Sequence, residues 1–169
     1  EIAATVRLRD EARSTTLINV GIAMATGCSL AGPVDPAEVE RLAEACLRAG
    51  ADLVGGLDPC GMDRDPKGHL DAIFAIAEKH GKGIDIHLHE GGEMGAFSMD
   101  LIFERIRAHD MRGKVAVSHA FCLGMPDWNA SQALIDQCAE LDVPILTTAP
   151  PSREVPALKR LVAAEVRFG

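Results

Sequence analysis

Ile84-Asp85-Ile86-His87-Leu88-His89-Glu90-Gly91-Gly92 decides the reading of this chain. Its residues alternate, so Ile84, Ile86 and Leu88 share one face of a strand while Asp85, His87 and His89 share the other. The apolar face calls for helices packed on it, and the polar face then looks into the axis of whatever the sheet encloses. Two imidazoles separated by one residue can both address one cation, and neutral histidine nitrogen is a common ligand for zinc or ferrous iron. Glu90 follows the strand at a Gly91-Gly92 turn, which leaves its carboxylate free to face a metal-bound water. A short His-x-His pattern also arises by chance at loop edges. The ligand reading is preferred for His87; for His89 the ligand and the hydrogen-bonded loop residue stand level.

The same rhythm extends in both directions. Apolar, β-branched runs at Thr15 to Ile22, Asp52 to Leu57, Val115 to His119 and Val143 to Thr148 alternate with amphipathic stretches of helical spacing. One helix follows Gly32-Pro33-Val34, with Asp35 as cap, Pro36 at the first position, Glu38 completing a capping-box-like pair and the end at Gly50. A second carries Leu70, Ile73, Phe74 and Ala77 and stops at Gly81. Others are expected over Met99 to His109, Ser131 to Leu141 and Val155 to Ala164, with a helical piece at Ile2 to Arg9 and a sixth strand starting at Val166-Arg167-Phe168. Strands recurring about every 30 residues with helices between them demand a parallel α/β sheet.

Polar residues gather at the C-terminal ends of these strands: Asp58, His87 with Glu90, His119, and Thr147 with Thr148. That distribution is the signature of a (β/α)₈ barrel, which needs about 250 residues, whereas this chain has 169. A partial barrel of five βα units and a truncated strand, forming a single incomplete domain over residues 1–169, is the expected fold. His119 tops Val115-Ala116-Val117-Ser118-His119, where alternation puts Val115, Val117 and His119 on the inward face beside His87. It can ligate metal, hydrogen-bond a metal-bound hydroxide, or be a core histidine satisfied by backbone. His69, His80 and His109 fall in helices or at helix ends and read as surface residues, and Cys122, between Phe121 and Leu123, reads as a packing thiol.

Composition narrows the class. Seventeen basic against 25 acidic residues give a net charge of −8, which argues against nucleic acid or an anionic membrane as partner. No apolar run approaches the roughly 18 residues of a membrane span. Five cysteines with no CxxC spacing fit reduced thiols in a cytoplasmic protein. The expected partners are a small-molecule substrate and either further copies of the chain or the missing barrel strands, because open sheet edges call for cover.

Taken together, Gly50-Ala51-Asp52-Leu53-Val54-Gly55-Gly56, Ile84 to Glu90, and Val117-Ser118-His119 resemble the cytosine-deaminase-like branch of the amidohydrolase superfamily, over nearly the whole chain and strands three to seven of its barrel. The resemblance implies a metal-dependent hydrolase of non-peptide C–N bonds that deaminates a small nitrogen heterocycle, using one divalent metal, zinc or iron. It implies His87 as metal ligand on the fifth strand, Glu90 as proton shuttle to ring nitrogen and leaving group, and His119 on the sixth strand as the residue that orients or deprotonates the metal-bound water. His89 falls where the family uses no ligand. The family's first-strand His-x-His pair and eighth-strand aspartate are not found in this sequence, so the 169-residue chain alone is expected to be inactive. No glutamine stands in Ile22 to Gly27 to grip a pyrimidine; Asp58, Thr26 and Trp128 are the candidate substrate contacts. Asp52 to Leu57 lacks the lysine of binuclear relatives, which favours a single metal. The alternative is a non-catalytic (βα)₅ domain that binds metal or ligand or drives oligomerisation.

Overall fold

The computed structural model describes residues 2–18, 27–28, 32–62, 64–150 and 152–169. Helix α1 (Ile2–Glu11) leads, followed by a small antiparallel pair, β1 (Gly27–Cys28) with β2 (Gly32–Pro33). The regular part then alternates α2 (Pro36–Arg48), β3 (Leu53–Leu57), α3 (Pro66–His80), β4 (Gly83–Leu88), α4 (Gly92–Ala108), β5 (Val115–His119), α5 (Trp128–Glu140), β6 (Ile145–Leu146) and α6 (Leu158–Ala163). β3, β4, β5 and β6 form one parallel sheet in chain order, and Phe168 adds a parallel bridge to Ile145. A doubly wound sheet reverses its strand order at a switch point. Strictly sequential order is instead the arc of a barrel.

The helices start where local chemistry supplies the orphan amides with acceptors. Asp35 accepts from the Ala37 N–H at 2.9 Å with Pro36 in the first turn, and Asp65 does the same for Gly68 at 3.0 Å before Pro66. α3 ends at Gly81 in the left-handed region, φ 61°. α5 starts three residues earlier than the periodicity suggests, because Asp127 accepts from the amides of Asn129 and Ala130. α4 starts at Gly92 rather than Met99. Its glycine-rich first turn hides it from a propensity reading, and Gly95 is what permits it: a Cβ there would sit 2.1 Å from the Glu90 carbonyl and 2.7 Å from Cys122 Cβ. α6 is shorter than expected, beginning only after Val155-Pro156, since proline removes an amide and restricts the residue before it.

Ile84, Ile86 and Leu88 of β4 and Val115 and Val117 of β5 are fully buried under α3, α4 and α5, with Leu70, Phe74, Ile102, Phe103 and Ile135 among the side chains that cover them. The opposite face of the sheet is open, with Leu57 and Leu146 exposed on either side of His87. The expected strand Val143 to Thr148 contracts to Ile145–Leu146. Of the expected strand Thr15 to Ile22, Thr15 to Ile18 are described and carry no strand; the remainder lies outside the described residues. The Asp52 N–H donates to the Ile18 carbonyl at 2.9 Å, so this segment runs beside the entrance to β3. Among the described residues no helix is long and apolar enough to cross a membrane.

Candidate active site

The open face of the sheet carries Asp85 and His87 on β4 and Ser118 on β5, with His87 and Ser118 in register across the parallel ladder. Asp85 is buried, accepts from the Ser118 hydroxyl at 2.8 Å and stands 3.3 Å from His87 Nε2. This register corrects the expectation for β5. Val115 and Val117 belong to the helix-facing side, opposite Ile84 and Ile86, and His119 pairs with Leu88. Strict alternation would therefore send His119 into the core. Instead His119 and Ala120 both take positive φ, 73° and 47°, which turns the chain out of the strand and swings the imidazole to the open face. Non-glycine residues rarely accept that conformation, and it clusters at functional sites. Asp58, immediately after β3, has φ 39° and shows the same feature.

His119 thereby meets both histidines of β4. Its ring centroid is 5.2 Å from that of His87 and 4.3 Å from that of His89, with which it stacks. Ring nitrogens of His87, His89 and His119 lie within 4.8 Å of one another. Burial holds the His119 imidazole below its ordinary value, and repulsion from His89 and His87 acts in the same direction, against the pull of Asp85 and Asp58. A neutral imidazole keeps the lone pair that ligation or hydrogen-bond acceptance requires.

Asp58 clasps the turn after β4. One of its oxygens accepts from the amides of His89 at 2.6 Å and Glu90 at 3.2 Å, and the other lies 3.0 Å from His89 Nδ1. The Glu90 carboxylate is buried and is not free as the sequence suggested. Oε1 accepts from the Cys60 and Gly61 amides at 2.9 and 2.6 Å, and Oε2 accepts from the Ser98 hydroxyl. An open cavity of about 290 Å³ is lined by Asp58, Gly61, Met62, His89, Glu90 and Met94. Asp58, His87, His89, Glu90 and His119 thus form one cluster at the C-terminal edge of the sheet.

Trp128 is placed elsewhere, exposed at the start of α5 with the Arg160 guanidinium 4.6 Å over its ring. Thr26 lies outside the described residues. His69, His80 and His109 are half-buried rather than on the surface: His69 accepts from the Leu57 amide at 3.4 Å, His80 lies 3.8 Å from Glu44, and His109 lies 3.1 Å from Glu78. Cys122 is a fully buried thiol, as its apolar neighbours suggested. Ser98 and Cys60 escaped notice because α4 was expected to start beyond Ser98, and nothing local marks a serine that will face a carboxylate eight residues back.

No family model matches the chain. It is 34% identical over 112 residues to the uncharacterized protein YahJ of Escherichia coli, covering 66% of this chain and 24% of that protein. It is 35% identical over 85 residues to N-isopropylammelide isopropyl amidohydrolase of Pseudomonas sp. strain ADP, covering 50% of this chain and 21% of that protein. A pterin deaminase of Rhizobium rhizogenes is 28% identical over 100 residues, or 59% of this chain and 22% of its own. Among solved structures, N-isopropylammelide isopropylaminohydrolase from Burkholderia multivorans superposes with a TM-score of 0.84 at 40% identity, over 97% of this chain and 41% of that one. A 5-methylcytosine deaminase from Klebsiella pneumoniae shares the fold, with a TM-score of 0.73 at 18% identity over 99% of this chain and 43% of its own. The chain therefore spans about a fifth to a quarter of the curated relatives it matches in sequence, and about two fifths of the solved ones. Its sheet, its strand-end histidines and these relatives agree: the chain is similar to amidohydrolase and deaminase enzymes and matches part of their fold.

Proposed function

We propose that the complete protein hydrolyses an exocyclic C–N bond of a small nitrogen heterocycle and releases ammonia or an alkylamine. One observation carries this reading: three imidazoles from two adjacent strand ends converge within 4.8 Å of one another, beside a buried carboxylate that opens on a cavity. The donor set fits a divalent ion of the zinc or iron type, with His87 as the ligand from this chain and the remaining ligands supplied by strands outside these 169 residues. Such an ion, when bound, supplies hydroxide near neutral pH and polarises the carbon under attack.

The chain's own residues then have separable tasks. His119, kept neutral by burial, accepts a hydrogen bond from the attacking water and orients it. Glu90 takes up a proton and delivers it to the departing nitrogen, which must leave as a neutral amine. Asp58 fixes His89 and the backbone before Glu90, so the carboxylate enters the site from a rigid turn. Met62 and Met94 give the cavity an apolar lip beside Glu90. That lip suits an N-alkylated leaving group, consistent with the two similar proteins named for N-isopropylammelide.

The test is release of isopropylamine from N-isopropylammelide, run beside amino-substituted pyrimidines, pterins and triazines, with the complete protein and its Glu90→Gln variant. The expected outcome is turnover of at least one member and a fall in kcat of about 10²–10⁴-fold on removing the proton carrier. Turnover by Glu90→Gln within a few-fold of the parent would contradict the assigned role.

A further inference from the structure

Among the described polar side chains around Glu90, Ser98 is the most deeply buried, with no exposure to solvent, and the reaction as described so far gives it no task. It sits on the first turns of α4, where Gly95 allows the helix to approach the strand-end loop. Its hydroxyl donates to Glu90 Oε2, and Cys60 Sγ stands 3.3 Å from the same hydroxyl oxygen. The other carboxylate oxygen is held by the Cys60 and Gly61 amides of the loop after β3. Glu90 is therefore gripped from two elements at once, by backbone on one side and by a single side chain on the other.

We infer that Ser98 is a positioning residue for the proton carrier. The terminal torsion of a glutamate is broad and roughly two-fold, so amides on one oxygen alone leave the carboxylate able to pivot. A donor fixed by a helix on the second oxygen sets the plane of the carboxylate and thus the direction in which it meets the departing nitrogen. Water cannot take over this bond, because Ser98 is fully enclosed. A misdirected proton carrier slows the chemical step and leaves substrate binding alone. This role rests on the reading of Glu90 given above, and it is tested on the same complete protein and probe.

Ser98→Ala is expected to lower kcat about tenfold while KM stays within about twofold and bound metal is unchanged, since only transition-state alignment is lost. Ser98→Thr, which keeps the hydroxyl, is expected to retain a kcat within about threefold of the parent. A Ser98→Ala enzyme with parental kcat overturns the positioning role, as do Ala and Thr variants that are equally impaired. The two readings fail separately: a silent Ser98→Ala beside an inactive Glu90→Gln removes only the positioning role, whereas an active Glu90→Gln removes the proton role and the positioning role with it.

Discussion

Cys122 and Cys60 show how placement decides the chemistry of one residue type. Burial pushes the Cys122 thiol up to about 12, and the same cause raises Cys138, so both stay protonated and shielded at neutral pH. Cys46 and Cys60 are only partly buried. Alkylation of the native protein at mildly alkaline pH, mapped by peptide mass, should therefore modify Cys46 and Cys60 first and reach Cys122 and Cys138 only after unfolding. Early labelling of Cys122 would mean that the packing of α4 on the short 3₁₀ turn Phe121–Gly124 is looser than described. His119 marks the limit of sequence reading at this scale. Its place at a strand end beside His87 was visible, but Val115 and Val117 were put on the same face as the imidazole, because period-2 alternation carries no sign of the positive φ at His119 and Ala120. Asp58 was likewise visible as a polar strand-end residue, and its grip on the His89 and Glu90 amides depends on a contact 31 and 32 residues away in sequence.

At the scale of elements, the strands and helices were largely legible because each is specified locally. Apolar runs place β3, β4 and β5, and the Asp-Pro pairs at 35–36 and 65–66 start α2 and α3. What failed was the start of α4, where Gly91, Gly92 and Gly95 oppose a helix that tertiary packing nevertheless imposes. The end of α3 gives a clean test of local specification. Gly81 holds φ 61°, and a Cβ there would meet no atom within 4 Å, so Gly81→Ala isolates backbone strain from steric conflict. The expected loss is about 1–2 kcal/mol of unfolding free energy, read by urea denaturation with an unchanged m-value. Asp35→Ala, which removes the bond to the Ala37 amide, should cost about 1 kcal/mol by the same measurement.

For the whole molecule, the two faces of the sheet are unlike. The helix-facing side forms a closed core, while the other side presents Leu57, His87 and Leu146 to the open. The sequential order of the strands was readable from their rhythm, and the end of the sheet where the histidines gather from the polar residues at strand ends. The position of Trp128, a sequence-based candidate contact, was not: it lies exposed at the start of α5 under the Arg160 guanidinium. His87 is the residue proposed to ligate one divalent ion, with His89 and His119 beside it. The direct measurement is the zinc affinity of the complete protein, by competition with a chromophoric chelator, for the parent and for His87→Ala. One tightly held equivalent is expected in the parent and, because removing a direct ligand should cost at least what removing its supporting partners does, a loss of about a hundredfold or more in the variant. A His87→Ala protein that holds zinc as tightly as the parent would contradict this role of His87.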